Sequence, residues 1–371
     1  MDALILSCST GGGHNAAGKA IKQELERRGH QVTMLDPYAL AGGNWDSRVG
    51  NGYVHLAQKA PHLFGCLYRL GDCYRQLPVH SPVYGVNLAM IHVMENFLNS
   101  HHFDVILMPH IYPGEILTCM KNRGRQVPNS IFIATDYVCI PFTEEIDCDY
   151  FVTPGPEMNQ DFARRGIDPR KLVPAGIPVR QDFFQVPEKD QAKAQLGLDP
   201  GKRHILLTGG SIGAGEMADA MEILQAYLDS HPDCQLTAIC GSNKSLYQFL
   251  DERYGQDARI RLLSSTDQMA LYIRSCDAFL SKPGGLSSTE AAVLGTSLIH
   301  LSPIPGCEQR NMAFFDSHGM SLAVGEELDR LPAALEMTRD PKVAAQLAEN
   351  QRRFIPSNAA QVICDLAQSL V

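Results

Sequence analysis

Phe279-Leu-Ser-Lys-Pro-Gly-Gly-Leu-Ser-Ser-Thr-Glu290 carries the clearest structural instruction in this chain. An apolar run ends in a Lys-Pro-Gly-Gly turn, small hydroxyl residues follow, and a carboxylate sits one turn into the helix they open. Buried strand, glycine turn and helix in that order form the crossover unit of a parallel α/β sheet. The same turn suits an anion. Gly284 and Gly285 let the backbone approach a ligand closely, and the N–H groups of the helix start at Leu286, Ser287 and Ser288 are expected to hold phosphate. Glu290 is placed to accept hydrogen bonds from ribose hydroxyls.

On either side of this turn, short apolar runs alternate with helical patterns from end to end. Ala3–Ser7, Gln31–Leu35, Asp104–Met108, Ser130–Ala134 and Tyr150–Thr153 read as buried parallel strands. The helix after the first has Ala17, Ala20, Ile21 and Leu25 on one face and Lys19, Lys22, Gln23 and Arg27 on the other, and Gly29 stops it. A second set follows the polar, proline-bearing stretch Val179–Lys189: His204–Thr208, Gln235–Cys240, Arg259–Leu263, Ala278–Ser281 and Ser297–Leu301. The fold class is therefore α/β, with two Rossmann-like, doubly wound parallel-sheet domains, residues 1–178 and 179–371, facing a cleft. Ser357–Val371, apolar at Ala360, Val362, Ile363, Leu366 and Leu370, is a last helix that closes the second domain or crosses back to the first.

Bulk properties narrow the function. The chain's 371 residues suffice for two ordinary domains, and its composition, 44% apolar and 20% charged, is globular. A net charge of -9 argues against a general nucleic-acid binder, while leaving room for a local basic patch on acidic lipid. The 11 cysteines include no Cys-x-x-Cys pair and no His/Cys cluster at zinc spacing, so they read as reduced cytosolic thiols. Met1–Cys8 reads as a strand rather than a signal peptide, and no apolar run approaches the ~20 residues of a membrane span. Any membrane contact is expected to be peripheral, at the cytoplasmic face. Trp45–His102 interrupts the alternation: it holds the only Trp and is locally positive, with Arg48, Lys59, Arg69 and Arg75 against Asp46, Asp72 and Glu95. Basic and aromatic residues among apolar ones suit a membrane interface, and an ordinary helical insertion has the same composition.

Several constellations carry chemistry. The first loop, Ser9-Thr-Gly-Gly-Gly-His14-Asn-Ala-Ala17, lies between strand and helix and lands His14 at a helix start. A helix N-terminus disfavours a charged imidazole, which keeps His14 neutral and able to accept a proton. Gly11-x-Gly13-x-x-Ala16 with Asp36 also matches a dinucleotide fingerprint, so an NAD enzyme is a competitor. A histidine in the glycine turn would crowd a pyrophosphate, and the second half has the better phosphate site. That site gains Thr208-Gly-Gly-Ser-Ile-Gly-Ala214, which offers backbone amides and Ser211. In Ser302-Pro-Ile-Pro-Gly-Cys-Glu308-Gln-Arg-Asn311, Glu308 and Asn311 suit sugar hydroxyls. Asp136, closing the strand Ile131-Phe-Ile-Ala-Thr-Asp136, either orients His14 or acts as base itself. Asp147-Cys-Asp149 has the form of a metal-binding pair but precedes a strand without partners, and reads as surface.

Taken in order, Gly-Gly-Gly-His14, Thr135-Asp136, Gly176-Ile-Pro178, Lys282-Pro-Gly-Gly285 with Glu290, and Pro305-Gly-Cys-Glu308 with Asn311 resemble the diacylglycerol glycosyltransferases. These are the monogalactosyldiacylglycerol synthases and processive glucosyltransferases, relatives of the transferase that makes lipid II, whose phosphate loop Gly209–Ala214 resembles. The resemblance covers residues 1 to about 365, with Lys-Pro-Gly-Gly its most specific block. It implies a GT-B fold and an inverting transfer from UDP-galactose or UDP-glucose to diacylglycerol or a glycosyl-diacylglycerol, with no metal or other cofactor. By the same resemblance Glu290 takes the ribose, and Gly210, Ser211, Gly284, Gly285, Leu286 and Ser287 take the phosphates. Glu308 and Asn311 contact the sugar, Thr266 lies near uracil, His14 and Asp136 supply base chemistry, and Trp45–His102 meets lipid on an anionic membrane. Two segments depart from the family pattern. Cys307 stands where Gln usually precedes the sugar-reading Glu, and Cys139-Ile-Pro-Phe142 stands where a His and an aromatic usually follow. A UDP-sugar epimerase of similar two-domain architecture and a non-catalytic UDP-sugar sensor are the rival expectations.

Overall fold

Runs such as Val105-Ile-Leu-Met108 and Ala278-Phe-Leu-Ser281 are apolar at nearly every position because both faces of the strand are covered. The computed structural model describes residues 1–8, 12–42, 82–213 and 215–371, and in it each of these runs is fully buried. The chain divides into two units. One comprises Met1–Gln181, Pro305–Cys307 and Pro356–Val371, the other Asp182–Ile304 and Glu308–Ile355.

The first unit is built on strands β1 (Asp2–Leu6), β2 (Gln31–Leu35), β3 (Val105–Met108), β4 (Asn129–Ile133), β5 (Tyr150–Val152) and β6 (Leu172–Val173). All are parallel, in the order β2-β1-β3-β4-β5-β6. Its helices include α1 (Gly12–Arg27), α2 (Pro82–Asn87), α3 (Ile91–Ser100), α4 (Ile111–Lys121) and α5 (Asn159–Arg164). The second unit carries β7 (Arg203–Thr208), β8 (Cys234–Ile239), β9 (Ile260–Leu263), β10 (Ala278–Ser281), β11 (Leu298–Leu301) and β12 (Leu322–Gly325), in the parallel order β12-β11-β10-β7-β8-β9. Helices α6 (Lys189–Gln195), α7 (Met217–Ser230), α8 (Lys244–Tyr254), α9 (Met269–Ser275), α10 (Gly285–Val293), α11 (Cys307–Ser317), α12 (Leu331–Met337) and α13 (Pro341–Phe354) accompany it, and α14 (Ala359–Gln368) ends the chain.

The order of strands decides where ligands go. In open parallel sheets the crevice lies beyond the carboxyl ends of the strands, where the winding reverses. That point falls between β1 and β3 in the first sheet and between β10 and β7 in the second. The loops after β1 and β3, and those after β7 and β10, are therefore the places to look.

Helix α14 belongs to the first unit. Ile363, Cys364 and Ala367 pack with Ile21 and Leu25 of α1 in one core cluster. Arg28 adds bonds to Asp365 at 2.5 Å and Gln368 at 2.7 Å. Full burial stabilises a leucine or isoleucine by ~1.5–3 kcal/mol, whereas an exposed ion pair contributes ~0–1 kcal/mol, so the apolar seam holds this helix. Strands β6 and β12 complete the sheets although no apolar run marked them in advance. The segment expected to meet lipid, Trp45–His102, lies outside the described residues from 45 to 81.

Candidate active site

In the first unit, β1 delivers the chain to α1, and His14 is the third residue of that helix. Its Nδ1 lies 2.7 Å from the Pro109 carbonyl oxygen, at the end of β3, and 3.0 Å from Thr135 Oγ1. A carbonyl oxygen only accepts, so Nδ1 carries the hydrogen and Nε2 keeps the lone pair. Burial pushes the His14 pKa below its ordinary value, while the charge of Asp136 and the Pro109 carbonyl pull it back up. The result is a neutral imidazole with its basic nitrogen defined. Asp136 was expected either to orient His14 or to act as base itself. Nδ1 is held by Pro109 and Thr135, and the charge of Asp136 bears on the ring.

A second imidazole, unforeseen, stands beside the first. His110 opens α4, accepting the Tyr112 N–H at 3.2 Å on its side chain, and its ring meets His14 edge to face at 4.5 Å between centroids. Both imidazoles line a small cavity with Phe132, Asp136, Ile140 and Phe162.

The second unit offers different chemistry at the equivalent place. The loop after β7 is tight: Gly210 has φ 68° and Gly213 φ 59°, and a Cβ on Gly213 would lie 1.9 Å from the Cys240 carbonyl oxygen. Neighbouring residues pin the loop, with Ser242 N donating to Ser211 O at 2.9 Å and Asn243 Nδ2 to Gly213 O at 2.9 Å. After β10, Gly284 takes an extended conformation and α10 begins with no side chain capping it. Ser288 N already donates to Gly284 O at 3.0 Å, so Ser288, expected to offer its N–H to phosphate, does not. Gly285, Leu286 and Ser287 form the open first turn, where helix geometry supplies no acceptor. Glu290 is nearly buried one turn further along.

Two side chains brace α10 from beneath. Buried His300 meets Ser288 Oγ at 2.9 Å through Nε2 and Ser321 Oγ at 3.0 Å through Nδ1, and burial lowers its pKa to about 3. Lys282 crosses Gly210 so closely that a Cβ there would lie 2.8 Å from its Cε, and its Nζ pairs with Glu308 Oε1. Glu308 Oε2 accepts from Ile304 N at 2.9 Å, and Asn311 Nδ2 donates to Pro283 O at 3.0 Å. Glu308 and Asn311 therefore staple α11 to the Lys-Pro-Gly-Gly turn. The carboxylate retains lone pairs for a further donor. Ser302, at φ 21°, donates from Oγ to Glu216 Oε2 at 2.6 Å and ties the end of β11 to the segment after the first glycine loop.

The structure thus gathers Gly210, Ser211, Gly284, Gly285, Leu286, Ser287, Glu308 and Asn311 around the β7/β10 crevice. Thr266 stands apart, on the loop after β9, where its Oγ1 accepts from Gln268 N at 3.0 Å. Asp149 of the Asp-x-Asp pair accepts from Ser130 N at 2.7 Å, and Asp147 faces Lys121 and Lys171. Among the described residues, no three His, Cys, Asp or Glu side chains form a metal cluster, and the cysteines are free thiols, all buried except Cys307.

Two parallel six-stranded units, each with its crevice at the reversal of winding, define a GT-B protein. Residues 14–179 match the model of the monogalactosyldiacylglycerol (MGDG) synthase family, and residues 204–359 that of the glycosyltransferase family 28 C-terminal domain. A processive diacylglycerol beta-glucosyltransferase of Bacillus licheniformis is 25% identical over 365 residues, 97% of this chain and 92% of the relative. Among solved structures, Acinetobacter baumannii MurG superposes with a TM-score of 0.62 at 15% identity, covering 99% of each chain. A Neisseria meningitidis UDP-GlcNAc 2-epimerase bound to UDP-GlcNAc gives 0.67 at 14% identity, covering 100% of each chain. The fold is thus shared by a transferase and an epimerase, and the sequence families separate them. The first half of the chain is similar to the monogalactosyldiacylglycerol synthases, the second to glycosyltransferase family 28, and the whole length to the processive diacylglycerol glucosyltransferases.

Proposed function

We propose that the protein transfers a hexose from UDP-glucose or UDP-galactose to the free hydroxyl of diacylglycerol or of a glycosyl-diacylglycerol, giving a β-glycolipid. The observation that carries this reading is the His14 tautomer: with Nδ1–H held on Pro109 O, Nε2 is a defined proton acceptor. In the reaction the acceptor oxygen attacks the anomeric carbon while the bond from that carbon to the β-phosphate oxygen breaks. The hydroxyl proton passes to His14 Nε2, and UDP leaves with the bonding electron pair. Attack opposite the leaving group converts an α-linked donor into a β-linked product. Asp136 favours the imidazolium that forms.

Charge that builds on the departing UDP is met by fixed dipoles. The N–H groups of Gly285, Leu286 and Ser287 and those of the Gly210–Ser211 turn supply them, and they need no reorganisation as the bond breaks. Lys282 lies against the same turn. Glu290 takes the ribose hydroxyls. Thr266 lies two strands from β7, about 10 Å at ~4.8 Å per strand, a fitting place for a base separated from its phosphates by a ribose. Glu308 and Asn311 read the sugar from the loop they already brace.

No helix among the described residues is long and apolar enough to cross a membrane. We place the protein at the cytoplasmic membrane face, held peripherally by anionic lipid, because its acceptor is a bilayer component. The test is incubation of purified protein with diacylglycerol vesicles and radiolabelled UDP-glucose or UDP-galactose in EDTA. Labelled glycolipid is expected from at least one donor. Absence of product from both would refute the transferase reading, and lipid-independent conversion of the UDP-sugar would point to an epimerase.

A further inference from the structure

His110 lies outside every motif that marks the two crevices, yet it touches the residue on which the chemistry depends. Its ring centroid is 4.5 Å from that of His14 with the planes at 77°, and it makes a second edge-to-face contact with Tyr112 at 4.5 Å. Residues 109 and 110 grip His14 together. The Pro109 carbonyl takes the Nδ1 hydrogen, and the next side chain covers the ring. We propose that His110 is a positioning residue for His14, holding the base in its reactive orientation and excluding water from it. This rests on His14 being the base.

Two observations argue against a purely structural role. First, His110 caps α4 by accepting the Tyr112 N–H, but a cap alone is served better by Ser, Thr, Asp or Asn. An imidazole there answers a second demand, and the ring it meets is that of His14. Second, the cap bond fixes the proton arrangement. Nδ1 of His110 accepts, so in the neutral ring the proton sits on Nε2, the tautomer opposite to that of His14. Burial, and the neighbouring His14, hold His110 well below the usual histidine range. A charged His110 would oppose proton uptake by His14. Locked neutral, it leaves His14 as the member of the pair that takes the proton.

The ionisable groups facing the pair can be named from each element. Asp136 comes from the loop after β4 and Tyr112 from α4. Burial pushes the Tyr112 hydroxyl up to about 12, so it stays neutral. Asp136 is then the charged group acting on His14 among the described residues.

Two variants of the full chain separate the roles. His110→Asn keeps a side-chain acceptor for the Tyr112 N–H and loses the ring, while His110→Phe keeps a ring and loses the acceptor. For His110→Asn, kcat is expected to fall about 10²-fold, the cost of a misplaced catalytic group, with donor KM within about twofold of wild type. The acid limb of kcat/KM should move up towards ~6.5 as water reaches His14. His110→Phe should recover roughly tenfold of the lost kcat and return the acid limb to its wild-type place, because the ring contact is restored. Wild-type kcat and an unmoved acid limb in His110→Asn would overturn the proposal. If His110→Asn melts far below wild type, His110→Phe decides: a loss as deep as that of His14→Ala also overturns it. His14→Ala is run alongside, and full activity there would sink the assignment of the base instead.

Discussion

The β1/β3 crevice and the β7/β10 crevice are the same device with different contents. Each sets a strand end against a helix that starts on glycine, at the reversal of winding in a six-stranded parallel sheet. The third residue of α1 is His14, and the third residue of α10 is Ser287. In the first crevice the helix start carries a half-buried imidazole, which the local dipole and desolvation keep neutral. In the second it presents backbone donors that nothing caps, where the same dipole attracts an anion. One residue at one helical position turns an anion cradle into a seat for a base.

The sharpest way to break this comparison is His14→Ala. Turnover should fall ~10²–10⁴-fold with loss of the base, while UDP affinity by titration calorimetry stays within about twofold. A large loss of UDP affinity would mean that the two crevices do not divide the work. The wild-type pH profile sharpens the same point. His14 has its pKa lowered by burial, and the base must be unprotonated. The acid limb of kcat/KM should therefore lie below ~6.5, activity falling only as pH drops through that lower value. A limb well above that value would contradict the desolvated, neutral state.

Gly213→Ala attacks the other crevice. A side chain there meets both a left-handed backbone and the Cys240 carbonyl at 1.9 Å, so the loop must shift. The backbone term alone is about 1–2 kcal/mol, so donor KM should rise at least tenfold with the acid limb of the pH profile unmoved. Ser288→Ala is milder. It removes the hydroxyl on His300 Nε2 and leaves a buried ring nitrogen without that bond, costing roughly 1–3 kcal/mol of stability, read as a lower melting temperature with turnover largely kept. Thr135→Val should be the smallest, about 1 kcal/mol in kcat/KM, because the Pro109 carbonyl still holds Nδ1–H. A loss as large as that of His14→Ala would make Thr135, and not Pro109, the residue that sets the tautomer.

The alternation of strands and helices was legible where parallel strands are buried and apolar throughout, as in β10, whose bounds are those its sequence suggests. β2 also keeps its expected bounds, but it is an edge strand with Gln31 and Thr33 exposed, not the buried strand its sequence suggested. Strands β6 and β12 were not. Leu172–Val173 is only two residues long at a sheet edge, and Leu322–Gly325 is short and half exposed in its first half. Glycine turns show themselves because few other residues tolerate φ near +60°, as at Gly210 and Gly213. What holds His14 could not be read in the same way. A backbone carbonyl leaves no mark in a sequence, and Pro109 lies 95 positions from the ring it fixes. His110 belongs to no motif, and its place beside His14 follows only once the topology sets β3 beside β1. The Lys282–Glu308 pair was likewise hidden, since Glu308 was expected to face sugar hydroxyls and Lys282 lies 26 positions away.

Soaking crystals of the protein with UDP tests the division of labour most directly. The account predicts the diphosphate on the N–H groups of Gly285, Leu286 and Ser287, with Gly12–His14 left clear of nucleotide. Density for the diphosphate against Gly12–His14 would reverse the two crevices and contradict it.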